Sequence, residues 1–290
     1  MLQLSDIRIR DPFVVPVEEE RAYYLYGTTD AAVWQGEAVG FDAYRSTDLV
    51  SWEGSIPVFR PPEGFWATQN YWAPEVHRYR GRYYLFGSFK APDARRGTQI
   101  LVADGPRGPY LPLTERPVTP DDWECLDGTL HVEEDGEPWI VFCHEWKQVT
   151  DGEMCAMPLT PDLRAPAGEP VVLFRASEAP WVVPVNDEGG YVTDGPYLHR
   201  AANGELLMLW ASYSGERRYS EGLARSESGS VTGPWRHDPE PLFADDGGHG
   251  MLFCAFDGRL IMPLHQPNRS PAERARFLDV REEDGRLQVQ

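Results

Sequence analysis

Apolar residues along this chain come in short runs separated by Gly, Asp and Asn turns, and no stretch holds the 3.6-residue period of a long amphipathic helix. The runs are rich in Val, Ile, Tyr, Phe and Trp, a composition that favours strands. They also come in pairs. Five segments share one layout, in which a special residue opens an alternating strand, a tight turn follows, and a more continuous apolar strand returns. They read "DPFVVPVEEERAYYLYG", "WAPEVHRYRGRYYLFG", "DGTLHVEEDGEPWIVF", "DGPYLHRAANGELLMLW" and "HGMLFCAFDGRLIMPLH". The turns "EEDGE", "AANGE" and "AFDGR" carry Asp-Gly or Asn-Gly, the strongest short hairpin signal. The pattern predicts an all-β protein.

The segments begin at residues 11, 72, 127, 194 and 249, at intervals of 61, 55, 67 and 55 residues. Such a period exceeds that of a solenoid repeat and suits a four-stranded blade with loop insertions, so the chain reads as one five-bladed β-propeller over residues 1–290. A β-sandwich is the alternative, but it has no need of five matched hairpins. In a propeller the first strand of each blade lines the central channel, so equivalent strand starts meet around the axis. Counting back from the turn glycines Gly81, Gly136, Gly204 and Gly258, and matching the glycine-free first hairpin, gives a ring of Asp11, Trp72, Asp127, Asp194 and His249. Any one of these alone reads as a turn former at a strand start, as Asp-Gly and Asp-Pro pairs commonly are. Three carboxylates in one register are different, because gathering like charges costs energy that a mere scaffold has no reason to accept.

Length and composition agree with one large all-β domain: 290 residues, 27 Gly, 26 Pro and 12% aromatic content. The formal charge of −19 disfavours nucleic acid and anionic membrane as partners, since both require a cationic footprint. No run approaches the roughly 20 apolar residues that span a bilayer. Cys125, Cys143, Cys155 and Cys254 show neither CxxC nor Cys/His zinc spacing and read as reduced, mostly buried thiols. The opening "MLQLSDIRIRDPF" lacks a basic segment followed by an apolar core, so the expected location is cytoplasmic; a processed mature chain would look the same apart from Met1.

Clustered carboxylates beside aromatic faces suit glycosidic bond cleavage. One acid stays protonated to donate to the leaving oxygen while an ionised partner activates water or attacks carbon, and a third carboxylate can raise the pKa of the acid. Trp72, Trp146 and also Trp34 or Trp66 are candidates to pack against a sugar ring, although with 10 Trp in the chain most must be core.

Five motifs in order, "IRDPFV", "YWAPEV", "LDGTLHVEEDG", "TDGPYL" and "GGHGMLF", make the chain resemble glycoside hydrolase family 43 over nearly its whole length. The family's enzymes are five-bladed propellers acting on arabinose-, xylose- and galactose-containing glycans. The resemblance implies an inverting mechanism, with a general base at Asp11, a pKa-tuning aspartate at Asp127 and a general acid opening the fourth blade. There the sequence departs from the pattern, with Asp194-Gly195-Pro196 where the family usually has Glu before Gly-Pro or Ala-Pro. Glu145 in "FCHEWKQ" is the other candidate acid, while Glu178 in "SEAPW" reads as an exposed loop residue. Glu75 joins Trp72, Trp146 and His249 among the substrate-side candidates, but alternation turns it off Trp72's face and favours a supporting role. "WECLDG" at residues 123–128 is similar to the Trp-Glu-Cys motif of invertases and fructan hydrolases, retaining enzymes in which that Glu is the acid. Their other two motifs are missing here, which leaves Glu124 as a neighbour of Asp127.

No cofactor is required for this chemistry. The resemblance does imply a possible structural Ca2+ or Na+ on the propeller axis near His249, held largely through water. The expected partner is an oligosaccharide or polysaccharide substrate, with no nucleic acid and no membrane. A carbohydrate-binding propeller without catalysis is the competing class, kept open by the Asp194 departure.

Overall fold

The computed structural model describes residues 1–290, and five antiparallel sheets form the blades of a propeller. From the axis outward, blade one holds Arg10–Val17, Ala22–Thr28, Phe41–Ser46 and Ser51–Phe59, with Leu2–Gln3 added at its rim. Blade two holds Gln69–Tyr79, Arg82–Ala91, Ala94–Ala103 and Leu111–Pro112, and blade three Cys125–Val132, Pro138–His144, Glu153–Pro158 and Val171–Arg175. Blade four holds Asp194–Arg200, Leu206–Ser214, Arg218–Ser226 and Trp235–His237, and blade five Phe253–Cys254, Leu260–Gln266, Arg274–Glu283 and Arg286–Val289. No helix is long and apolar enough to cross a membrane.

Each blade packs both faces against neighbours, so its second strand has no solvent side. That is why "AYYLYGT" is buried at every residue and "LLMLWASYS" at all but Tyr213, where a half-exposed sheet would alternate. Wedges of large side chains fill the inter-blade spaces, among them Phe41, Phe59 and Phe89 between the first two blades, Trp52 against Phe277 of the last, and Trp181 with Trp210 on blade four.

The inner strands break register at one repeated place. Two residues intervene on the inner strand between the paired positions Arg10 and Phe13, Trp72 and Glu75, Leu126 and Thr129, and Asp194 and Tyr197, against one on the partner strand. The first residue of each bulge is left-handed: Asp11 (φ 52°), Ala73 (φ 44°), Asp127 (φ 54°) and Gly195 (φ 51°). His249 (φ 57°) has the same conformation in blade five, where the inner strand starts only at Phe253. For a non-glycine residue this conformation costs about 1–2 kcal/mol, and bulges of this kind re-aim a side chain. The sequence register therefore needs correction in two blades. Trp72 and Asp194 stand one residue ahead of the bulge position: in blade two the tight turn between Tyr79 and Arg82 brings the bulge to eight residues before its glycine, and in blade four the nine-residue count that holds for Asp127 and His249 ends on Gly195.

The bulge N–H groups join the blades in a closed circuit. Asp11 N–H donates to His265 Nδ1 (3.2 Å), Ala73 N–H to Thr28 Oγ1 (2.8 Å), Asp127 N–H to Ser88 Oγ (2.8 Å), Gly195 N–H to Asp127 Oδ2 (3.1 Å) and Gly250 N–H to Glu221 Oε2 (2.9 Å). Each bond lands on the preceding blade, so the strained residues are held by the ring itself.

No blade mixes strands from the two ends of the chain. The first and last blades are instead joined by Arg8, whose guanidinium meets the fully buried Glu273 carboxylate at 3.0 Å and caps the Asp30 carbonyl. Arg274 Nε adds a bond to the Ser5 carbonyl at 2.8 Å. Removing one partner of a buried pair leaves an uncompensated charge, so Arg8→Ala is expected to destabilise the fold by about 3 kcal/mol. Urea unfolding checks this, and a change below about 0.5 kcal/mol would mean that the pair behaves as a surface contact.

Candidate active site

In an antiparallel meander the first strand starts, and the second strand ends, at the same face. The connections from second to third strand and from one blade to the next therefore all gather where the bulges lie. They wall a cavity of about 250 Å3 whose floor carries Asp11, Asp127, Asp194 and His249. Its apolar lining is Val33, Trp34, Trp72, Leu126, Trp146, Val185 and Val192; its polar lining adds Arg10, Tyr213, Tyr219, Asn268, Glu145 and Lys147.

The predicted ring is thus assembled. His249 Nδ1 lies 3.3 Å from Asp11 Oδ1 and 3.8 Å from Asp127 Oδ2. The Thr28 hydroxyl donates to Asp11 Oδ2 at 2.6 Å, and the Tyr219 hydroxyl donates to Asp194 Oδ2 at 3.0 Å. Gly195 must lack a side chain here, since a Cβ would come within 2.6 Å of the His249 ring. Trp72 is held on one side by the Val33 carbonyl, which accepts its indole N–H at 2.6 Å, and on one face by the Arg96 guanidinium at 3.7 Å from the ring centre.

Three carboxylates in one enclosed space cannot all be ionised, and their surroundings separate them. Burial pushes Asp11 up, but the facing His249 ring, the Arg10 guanidinium and the Thr28 hydroxyl outweigh it and hold the carboxyl below the ordinary aspartate range. Burial and the charge of Asp11 push Asp127 well up. Burial, then the neighbouring Asp127, push Asp194 up to about 7. The protons shared by Asp127 and Asp194 belong to the pair, while Asp11 is the carboxylate kept ionised. An ionised carboxylate and a protonated one on the floor of a single pocket are the two groups that glycoside hydrolysis needs.

The other candidates fall elsewhere. Glu145 lines the cavity, but its carboxylate ends on Arg96 at 3.5 Å and Lys147 at 3.4 Å. Glu75 is a correction: the residue is buried, is absent from the cavity lining and lies 3.1 Å from His77 Nε2, because it stands farther along the inner strand from the cavity than Trp72. Glu124 is occupied by Lys90 at 2.8 Å and by the Arg96 N–H at 2.9 Å. Glu178 is exposed and caps the Arg175 N–H at 2.9 Å. Trp66 lies in outer grooves, whereas Trp34 sits on the cavity rim. No group of three or more His, Cys, Asp or Glu side chains has the arrangement to hold a metal ion, and the His249 ring is engaged with Asp11 and Asp127.

Sequence reasoning missed Arg10, Tyr213, Tyr219, Asn268 and the buried Glu221. A signal existed for most of them: Tyr213 and Tyr219 flank the second-to-third-strand turn of blade four and Asn268 lies in that of blade five, the connections that topology brings to the bulge face.

The profile of the family described as Glycosyl hydrolases family 43 matches residues 5–281. Among solved structures, an endo-arabinase from Bacteroides thetaiotaomicron VPI-5482 superposes with a TM-score of 0.92 at 40% identity, covering 99% of each chain. The extracellular exo-alpha-(1->5)-L-arabinofuranosidase ArbA of Cellvibrio japonicus is 24% identical over 271 residues, 86% of this chain and 72% of that protein. The extracellular endo-alpha-(1->5)-L-arabinanase 1 of Bacillus subtilis is 24% identical over 157 residues, 50% of this chain and 46% of its own length. A profile match running almost end to end, on five blades whose axial pocket holds separated carboxylates, leads to one assignment: the chain belongs to glycoside hydrolase family 43 and is a glycosidase.

Proposed function

We propose that the protein hydrolyses α-1,5-linked arabinofuranosyl units of arabinan or arabino-oligosaccharides with inversion at the anomeric carbon. The observation that carries this reading is the 40% identity over 99% of the chain to a protein described as an endo-arabinase. The pocket chemistry is consistent with it. Asp11, ionised, takes a proton from the attacking water; Asp194, protonated, donates to the departing glycosidic oxygen; and Asp127 beside it helps to keep that proton in place. The Tyr219 hydroxyl occupies Asp194 Oδ2, so the transferable proton sits on Oδ1. Aspartate in place of the longer glutamate is accommodated because Asp194 occupies the paired position ahead of the bulge, directly under Tyr219. His249 bridges base and tuning residue through its Nδ1.

The test is a panel of linear arabinan, xylan and the aryl α-L-arabinofuranoside, β-D-xyloside and β-D-galactofuranoside, followed by proton NMR of the first product. Arabinan and the arabinofuranoside should be cleaved fastest, and the first-formed arabinose should be the β anomer. A faster xylan or galactofuranoside reaction would overturn the substrate; an α anomer would overturn inversion and make Asp11 a nucleophile.

A further inference from the structure

The cavity's polar lining holds a single connected device. The Asp11 N–H donates to His265 Nδ1, so the fully buried His265 ring, whose pKa burial and then Arg10 push down to about 3, is neutral and carries its proton on Nε2. That N–H donates to Asn268 Oδ1 at 3.1 Å, and Arg10 Nη2 donates to the same oxygen at 2.7 Å. Two donors into Oδ1 fix the amide orientation, and Asn268 Nδ2 then donates to the Tyr213 oxygen at 3.2 Å. The Arg10 guanidinium also lies 5.0 Å from the ring centre of Trp34, whose indole N–H bonds the Ser270 hydroxyl at 3.3 Å.

What this network leaves over is directional. Arg10 makes no other side-chain hydrogen bond in the protein, so most of its five N–H groups are unspent. Tyr213 accepts from Asn268 and has no acceptor of its own, so its O–H is unspent too. Both residues line the same cavity as Asp11, Trp72 and Leu126.

We propose that Arg10 and Tyr213, held in place by Asn268 and His265, form a donor clamp that reads the hydroxyl oxygens of the sugar seated over Asp11. The apolar lining takes the C–H face of that sugar, and the carboxylates on the floor turn away an acidic one, so the ligand class is a neutral glycosyl unit. The identity of the sugar rests on the arabinan reading; the clamp does not.

The experiment pairs protein variants with substrate deletions. Arg10→Met, Arg10→Lys, Tyr213→Phe and Asn268→Ala are assayed on an aryl α-L-arabinofuranoside and on its 2-deoxy, 3-deoxy and 5-deoxy analogues. Arg10→Met should lower kcat/KM about 10- to 100-fold on the parent, as expected for a charge-assisted bond. On the one analogue lacking the hydroxyl that Arg10 reads, most of that loss should vanish. Tyr213→Phe should behave likewise with one of the analogues, and Arg10→Lys should recover part of the parent activity. An equal loss on all analogues, with the acid limb of the pH profile moved up, would show that Arg10 serves only the charge on Asp11 and would overturn the clamp. If Arg10→Met does not fold, Tyr213→Phe and Asn268→Ala carry the same comparison. A wild type that cleaves another glycoside instead would refute the arabinan reading while the same deletion series on that glycoside still tests the clamp.

Discussion

Asp11→Asn is expected to lower kcat by about 10⁴-fold, the upper range for loss of a general base, with KM almost unchanged. An amide cannot take the proton of the attacking water. Asparagine is the informative replacement because it tolerates the left-handed backbone (φ 52°) that this residue adopts, and its oxygen can still accept from the Thr28 hydroxyl. The folded state should therefore survive, which thermal unfolding would verify. Activity above a tenth of wild type would remove Asp11 from the base role. Because the facing His249 ring, Arg10 and Thr28 hold the Asp11 carboxyl below the ordinary range, the wild-type rate should stay high down to mildly acidic pH and fall only as the pH drops through that lowered value.

Asp194→Ala should produce a loss that depends on the leaving group. A sugar or alkyl leaving oxygen needs a proton, so arabinan cleavage should fall by about 10²–10⁴-fold. A dinitrophenyl glycoside, whose phenolate leaves without help, should lose far less. The pH profile supplies the second readout. With Asp194 pushed up to about 7, the acid is protonated below that pH and lost above it, so the wild-type rate should decline as the pH rises through about 7. In the variant that decline should disappear. Glu145→Ala is the comparison, since the Glu145 carboxylate ends on Arg96 and Lys147. A leaving-group dependence appearing in Glu145→Ala, together with equal losses on both substrates in Asp194→Ala, would exchange the two assignments.

The architecture and the floor of the pocket were legible from the chain alone because both are local and repeated. Turn chemistry such as "EEDGE" and "AANGE" is decided within a few residues, and a two-residue side-chain period marks each inner strand without reference to its neighbours. Repetition then did what a single motif cannot, by placing Asp11, Asp127, Asp194 and His249 at one level of one axis. Counting is off by one residue at Trp72 because turn length belongs to the strand pair: the tight turn of blade two puts the bulge eight residues before its glycine, whereas it lies nine before in blades three, four and five.

What only the tertiary structure decided is which groups face one another across blades. Arg10 and Asn268 are 258 positions apart, and His265 reaches Asp11 across 254. No local propensity speaks to such pairs, because they exist only once the last blade closes against the first. The division of labour among the aspartates has the same origin. An isolated aspartate titrates near 3.9, and nothing in the words Asp-Pro or Asp-Gly separates one from another. Burial offset by the His249 ring, the Arg10 guanidinium and a hydroxyl at Asp11, against burial and a neighbouring carboxylate at Asp194, set their opposite shifts. Composition and periodicity determine that a ring of acids exists; the dielectric and the neighbours that closure brings determine which of them holds the proton.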